Sequence, residues 1–447
     1  MKLDVEMKDS PVVETQVRLP AVFDAKVELK RCIGYVERAT NARDVRTMAR
    51  ILRQVSKIRS SITRAQLEAV AAEELPAESK TLAAVLSALK EVPEDFHVHP
   101  SVDGAMDTED DKDVAAGSGK DKPQEEAVVS DRKSPTTVVP EIASLLDILT
   151  LSMLIDSKKI EKAVEFSASV ALGMMEQNRR SLDEFRARFY FLYSHAHELA
   201  GSSKVIRSHL LAAYRSSVLH HDHTGQAILL NALLRSYVNA NLYDQADKLV
   251  SKVQFPETRS NNQLARYLYY LGRIRAVQLD YSEAVKCLQE ALRKAPHNGA
   301  LGFRVIVQKL IVVVQLLTGD IPDREIFRQP KMTAALKPYL EITKTVRDGN
   351  LQEFSDVFSR NKEVFSQDRT MTLVTRLRQN VIKAGLRKLN TCYSRISISD
   401  LSERLNLDSV QDAEFVIAKA IRDGVIDATI NHDESFMCSN ETYDTYA

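Results

Sequence analysis

From about Val22 to Leu75 the apolar residues recur at spacings of three and four, and Val45, Met48, Leu52 and Val55 share one face of a helix. The rhythm stops over residues 101–135, which hold ten acidic and five basic residues, no aromatics, and Gly, Ser and Pro besides. Such a stretch cannot bury enough surface to offset the cost of ordering it. It predicts an acidic disordered linker over residues 96–138, after a disordered polar tail (1–18) and an N-terminal helical region (19–95). Helical periodicity returns at Val139 and runs to about Leu389 with few Gly or Pro; alternating, strand-type patterning follows only after Tyr393.

Within the long helical stretch the pattern repeats. "GRIRAVQLDYSEAVKCLQEALRKAP" sets Gly272, Tyr281, Ala284, Ala291 and Pro296 at the spacing G-x8-Y-x2-A-x6-A-x4-P. Small residues suit the contact line of two antiparallel helices, the Tyr fills the groove, and the Pro ends the second helix. "LYDQADKLV" repeats the core 38 residues earlier through Tyr243 and Ala246, and Ile160 with Ala163 gives a fainter echo. These hairpins predict a TPR-like α-solenoid, with repeats over 139–263 and further helices over 264–389.

The last segment, 390–446, reads differently. "YSRISISDLSERLNL" offers a short strand, then a helix that Ser397 can cap with Asp400 three residues on; Ile398, Leu401 and Leu405 share a face. A second helix starts from Ser409 and Asp412, turning Ala413, Val416, Ile417 and Ala420 inward. "DGVIDATIN" adds a Gly turn and a strand, Val425 to Ile430, with Ile426, Ala428 and Ile430 on one side. Strand, helix, helix and wing strand make a winged helix, so the expected fold class is mainly α: a solenoid of helical hairpins ending in a winged helix.

Charge then narrows the use of that fold. The chain has 61 basic and 61 acidic side chains, so no whole-chain field draws in a polyanion or an anionic membrane. In a DNA-binding winged helix the second helix would enter the major groove; here residues 409–423 carry Asp412, Glu414 and Asp423 against Lys419 and Arg422, a net charge of minus one. That excludes DNA as the expected partner. The unpaired edge of the wing strand is the better docking feature, and Ile426, Ala428, Thr429 and Ile430 are its candidate residues.

Residues 259–309 carry nine Arg and Lys against three acids, among them Arg266, Arg273 and Arg275 in "ARYLYYLGRIRAV". This predicts a basic repeat surface for an acidic peptide; RNA stacking on the neighbouring tyrosines is the rival, set against their fit as core residues at helical spacing. His97, His99 and Asp110 have the H-x-H-x10-D spacing of zinc isopeptidases, but they sit at the mouth of the acidic linker, and Asp107 stands where the supporting Ser belongs. "HHDH" at 220–223 reads as a solvated turn between helices. No metal, cofactor or catalytic residue is expected, and no P-loop, dinucleotide or nucleophile motif is present. Cys32, Cys287, Cys392 and Cys438 show no CxxC spacing, which suits a reducing compartment. The N-terminus lacks a signal-type apolar run, and no stretch is expected to reach a membrane span of ~18 apolar residues.

Helical repeats followed by a winged helix resemble the PCI-domain scaffold proteins, which serve the proteasome lid, the COP9 signalosome and a translation initiation factor complex. "LLRSYVNANLYDQADKLVSK", "ARYLYYLGRIRAVQLDYSEA", "GDIPDREIFRQP", "RLRQNVIKAGLRKL", "YSRISISDLSERLNLDS" and "DAEFVIAKAIRDGVIDATINH" are similar to the lid subunits of the 26S proteasome, and to one non-ATPase subunit in particular, from about Glu141 to Tyr446. The resemblance implies a non-catalytic scaffold of the cytoplasm and nucleus. Its winged helix would join those of other lid PCI subunits, and its repeats would hold the lid's small acidic subunit. Residues 264–446 would then form the PCI domain. The family continues past the block matching "NETYDTYA" with a long bundle helix; this sequence stops at Ala447, so that helix is expected to be trimmed or shortened here.

Overall fold

A computed structural model describes residues 24–76, 79–93, 139–256, 260–296, 300–407 and 409–440. The expected tail, all of the acidic linker with His97, His99 and Asp110, and residues 441–447 lie outside the described residues. The chain forms two compact units: Met1–His99 with Ser130–Lys159, and Pro100–Val129 with Ile160–Ala447.

The first unit is built from α1 (Ala25–Ala42), α2 (Val45–Ser61), α3 (Arg64–Glu74), α4 (Lys80–Leu89) and α5 (Pro140–Asp156). Each of the first four has a polar N-cap, at Asp24, Asp44, Thr63 and Ser79; at α3 this is a reciprocal capping box, the Gln66 side chain accepting from the Thr63 N–H at 3.2 Å. The core face of α2 is Met48, Ile51, Val55 and Ile58. Leu52, expected inside, is half-buried, and Ile51 takes its place one residue earlier. Helix α5 packs on α1, α2 and α4. It is buried on nearly all sides, and Arg59 of α2 holds its last residue, Asp156, through two hydrogen bonds, Nε to Oδ2 at 2.7 Å.

The second unit opens with α6 (Ile160–Glu176), α7 (Asp183–Leu199), α8 (Arg207–Leu219), α9 (His223–Asn239), α10 (Tyr243–Lys252), α11 (Asn261–Val277) and α12 (Tyr281–Lys294). Helices α7, α9 and α11 pack side by side, and α8, α10 and α12 lie against them, which is the hairpin stacking that the repeat predicts. At Gly272 the two helices of the last hairpin touch: a Cβ there would stand 2.7 Å from Leu288 Cγ. Ala284, Leu288 and Ala291 are fully buried on the facing helix. The turns repeat too. His221, Asn241 and Leu279 all have positive φ, and the following N–H reaches back five residues each time: Asp222 to Ser217 O at 3.0 Å, Leu242 to Tyr237 O at 2.9 Å, Asp280 to Arg275 O at 3.0 Å.

Next come α13 (Leu301–Thr318), α14 (Arg324–Arg328), α15 (Thr333–Asp348), α16 (Leu351–Arg360), α17 (Lys362–Gln367) and α18 (Met371–Cys392). Contrary to expectation, α13 is long and apolar enough to cross a membrane by length and composition. Half of its length is buried in the core, where Val307, Leu310, Ile311, Val312, Val313 and Val314 pack. Helix α18 ties the unit together by satisfying carbonyls at other helix ends. Arg376 donates to Val277 O (3.2 Å), Asn380 to Leu316 O and Leu317 O (2.6 and 2.9 Å), and Lys388 to Asp348 O (3.0 Å). Its Gly385 lies flush on Gly349, whose φ is +69°; a Cβ on Gly349 would meet the Gly385 nitrogen at 2.5 Å.

The chain closes with β1 (Arg395–Ser397), α19 (Ile398–Arg404), α20 (Val410–Arg422), β2 (Ala428–Asn431) and β3 (Phe436–Ser439) in an antiparallel sheet of order β1-β3-β2. The fold is therefore mainly α, TPR-like repeats leading into a PCI-type winged helix.

Candidate assembly interfaces

The winged helix is built by local rules. Ser397 accepts from the Asp400 N–H at 3.1 Å and Ser409 from the Asp412 N–H at 3.0 Å, so both helices start where the caps predict. Ile398, Leu401, Leu405, Ala413, Ile417 and Ala420 are buried, with Val416 partly so. The outward face of α20 shows Asp412, Phe415, Lys419 and Arg422, and Glu414 receives His432 Nδ1 from the wing at 2.7 Å. Asp412 and Glu414 offset Lys419 and Arg422 on this helix, so it offers a phosphate backbone no net positive field.

The wing strand is shorter than its pattern suggests. Gly424, with φ +69°, closes α20, and the Val425 N–H is used on Ala420 O at 2.9 Å, so pairing begins at Ala428. Ile426 and Ala428 are buried in this chain's own core and Ile430 is half-buried; only Thr429 of the four candidates is exposed. Their side chains are therefore not a socket for a neighbour. What the edge offers is main chain. Ala428 lies opposite Ser439 and Thr429 opposite Cys438, and Asn440 donates to Asp427 O at 3.1 Å. Alternation in an antiparallel ladder then turns the N–H and C=O of Thr429 and Asn431 towards β3, and those of Ala428 and Ile430 towards the outer side of β2. Among the described residues no strand pairs with that outer side. The central strand β3 is not predicted from the sequence: Phe436, Met437 and Cys438 are all apolar, and only their burial alternates, with Met437 inward.

The arginines of the repeats divide. Arg273 is buried, its guanidinium donating to the Tyr269 hydroxyl at 2.9 Å and the Arg369 carbonyl at 3.1 Å, so it leaves the proposed basic surface. Arg275 is half-exposed, 4.0 Å from Asp247. Arg266 of α11 lies 5.5 Å from the ring centre of Phe191 on α7, and Arg188 lies 5.3 Å from the same ring. This Arg–Phe–Arg stack is what remains of a cationic, aromatic face; Arg275, nine residues after Arg266, stands on the opposite side of α11. Tyr267 is buried, stacked on Phe255 at 4.6 Å, as the core reading of the tyrosines requires.

Arg369 belongs to the α17–α18 turn, which carries a polar knot. Asp368 accepts from Lys309 Nζ at 2.8 Å and from the Tyr339 hydroxyl at 2.8 Å. Burial drives the Tyr339 phenol well above its ordinary range, so it stays a donor. The HHDH run lies at the α8–α9 turn, with Asp222 capping α9 through the Gly225 N–H at 3.0 Å. No group of three His, Cys, Asp or Glu placed to hold a metal ion is found among the described residues.

Comparison with known proteins gives two family matches: "PSMD3-like, N-terminal TPR repeats" over residues 24–343 and "PCI domain" over 351–441. The chain is 41% identical over 445 residues to the probable 26S proteasome non-ATPase regulatory subunit 3 of Anopheles gambiae, covering all of this chain and 84% of that protein. It is 39% identical over 458 residues to the subunit 3 of Dictyostelium discoideum (99% and 86% covered). Against subunit 3 homolog A of Arabidopsis thaliana it is 39% identical over 451 residues (100% and 87%).

Proposed function

The chain belongs to the family of 26S proteasome non-ATPase regulatory subunit 3, and from that premise we propose that it is a non-catalytic scaffold subunit of the regulatory particle lid, supporting the complex that degrades ubiquitinated proteins. The observation that carries this is the match to subunit 3 relatives along the whole chain. The scaffold role means that surfaces, rather than a catalytic site, do the work. Its PCI domain spans residues 264–446, and its place of action is the cytoplasm and nucleus. The outer edge of β2 takes a strand or loop of another lid PCI subunit by main-chain bonds, each worth ~0.5–1.5 kcal/mol net. The Arg266 side of α11, with Arg188 and Phe191, takes the small acidic lid subunit, its attraction fading with salt over a Debye length of ~8 Å.

The test is purification of the tagged chain from its own cells, as wild type, Ala428→Pro and Thr429→Pro. The Ala428 N–H points away from β3, so proline there should leave the fold intact and strip lid subunits from the recovered material. Thr429→Pro removes a β2–β3 donor and should destabilise the wing itself. Recovery of signalosome or initiation-factor subunits without proteasome would sink the assignment. Normal assembly of a folded Ala428→Pro protein would sink the edge as the docking element.

A further inference from the structure

Helix α2 carries five cations and no acid: Arg46, Arg50, Arg53, Lys57 and Arg59. Arg59 is spent on Asp156. The other four stand at i, i+4, i+7 and i+11, which at 100° per residue keeps them within a sector of ~60° and along ~16 Å of helix. Met48, Ile51, Val55 and Ile58, the buried face, lie on the opposite side. Arg46, Arg50 and Lys57 are exposed, and Arg53 is half-buried with its Nε on Ala49 O at 3.3 Å.

The rest of the unit shows what is unusual here. Lys26 and Lys30 share Glu73, Arg31 meets Glu28, and Arg64 meets Glu68. Among the described residues Arg46, Arg50 and Lys57 make no ion pair. Like charges three and four apart on a helix repel, and a surface face normally mixes signs to avoid this. Among the described residues Arg38, Arg43, Lys80 and Lys90 also lack an ion pair, but they stand singly, whereas on α2 three unpaired cations share one stripe with no acid on the helix.

We infer that the α2 stripe is a docking surface for a carboxylate-rich segment of a neighbouring protein chain. The inference rests on the reading above that the chain works among other subunits. Nucleic acid fits less well, because α2 has no aromatic residue on which a base could stack, and stacking supplies much of single-strand affinity. The chain's own acidic stretch, 101–135, intersperses Lys112, Lys120, Lys122, Arg132 and Lys133 among its acids, which offsets what it could give four cations. A segment of uninterrupted acids is the better complement.

The experiment titrates the full chain with a short fluorescein-labelled poly-glutamate peptide at low salt. The triple substitution Arg46→Gln, Arg50→Gln and Lys57→Gln should weaken binding about tenfold and flatten its salt dependence. A variant with Arg46→Lys and Arg50→Lys should bind almost as the wild type, so a structural fault in the triple variant cannot be mistaken for lost charge. Neutralising Asp107, Glu109, Asp110, Asp111 and Asp113 to their amides should leave the affinity unchanged. Three results would overturn the inference: equal binding by the triple variant, equal competition by poly-uridine of the same charge, or peptide binding that appears only once the chain's own acids are neutralised. None of these depends on which assembly co-purifies, so the inference can fail while the assignment above stands.

Discussion

In the repeats, Arg273 is buried and its guanidinium reaches the Tyr269 hydroxyl and the Arg369 carbonyl. In the N-terminal unit, Asp147 of α5 is also buried, and among the described residues nothing donates to its carboxyl. The contrast extends outward. The second unit gives its half-buried Lys309 an acid, Asp368 at 2.8 Å, and uses the donors of α18 to close helix ends. The first unit leaves three cations of α2 exposed and unpaired. A buried charge is tolerable when the fold brings its partners along, and costly when it does not. By that measure the buried Arg273 and the half-buried Lys309 are provided for, whereas the buried Asp147 is not, and α2 adds a surface stripe of one sign.

The largest expected effect tests the unsatisfied core. Burial alone raises the Asp147 carboxyl to about 7 from an ordinary 3.8. The folded chain therefore holds this proton more tightly than the unfolded one. By linkage, this group's contribution is most favourable below about pH 4, falls as pH rises through 7, and levels off above. The full difference is on the order of 4 kcal/mol, more than half of which falls between pH 5 and pH 8. Asp147→Asn should lose that dependence: urea unfolding should show the variant gaining on the wild type by this amount between the two pH values. Parallel pH profiles would mean that the carboxylate has a partner and that the contrast with Arg273 is false.

Next in size is the satisfied cation. Arg273→Met removes two charge-assisted hydrogen bonds and leaves the Tyr269 hydroxyl and the Arg369 carbonyl unpaired, at a cost of about 2–3 kcal/mol. Arg275→Met, two residues on and half-exposed, should change stability by less than about 0.5 kcal/mol. Thermal unfolding of the two variants side by side gives the check. Equal effects would show that the repeats do not discriminate between buried and surface arginines as the geometry says.

How far this division could be read in advance depended on how local its cause is. The caps at Ser397 and Ser409 and the apolar faces of α19 and α20 follow from residues three or four apart, and the sequence shows them. The contact of Gly272 with Leu288 was equally legible, because small residues at a fixed spacing have one good use in a hairpin. Arg273 was not: its burial is decided by the Arg369 carbonyl 96 residues away, and a count of charges over 259–309 cannot tell a surface arginine from a spent one. The hairpin turns repeat in backbone, at His221, Asn241 and Leu279, without repeating in residue type. Strand β3 is four residues long, too short for alternation to stand out, so the order that leaves β2 at an edge came only with the fold. The α2 stripe was in plain view, but its single sign matters only once its other side is known to be core.

The smallest expected effect bears on that stripe. If Arg46 and Arg50 serve a partner, the isolated chain should not miss them. Arg and Gln have similar helix propensities, so replacing both by Gln removes charge at little conformational cost. What remains is relief of i,i+4 repulsion, about 0.2–0.5 kcal/mol in favour of the variant at low salt. At 1 M salt the Debye length is ~3 Å, and the gain should vanish. Urea unfolding at the two ionic strengths measures both quantities. A loss of more than about 1 kcal/mol would show that these cations already serve the fold of the first unit. The stripe would then belong to that unit's own stability, and the case for an acidic partner at α2 would fall.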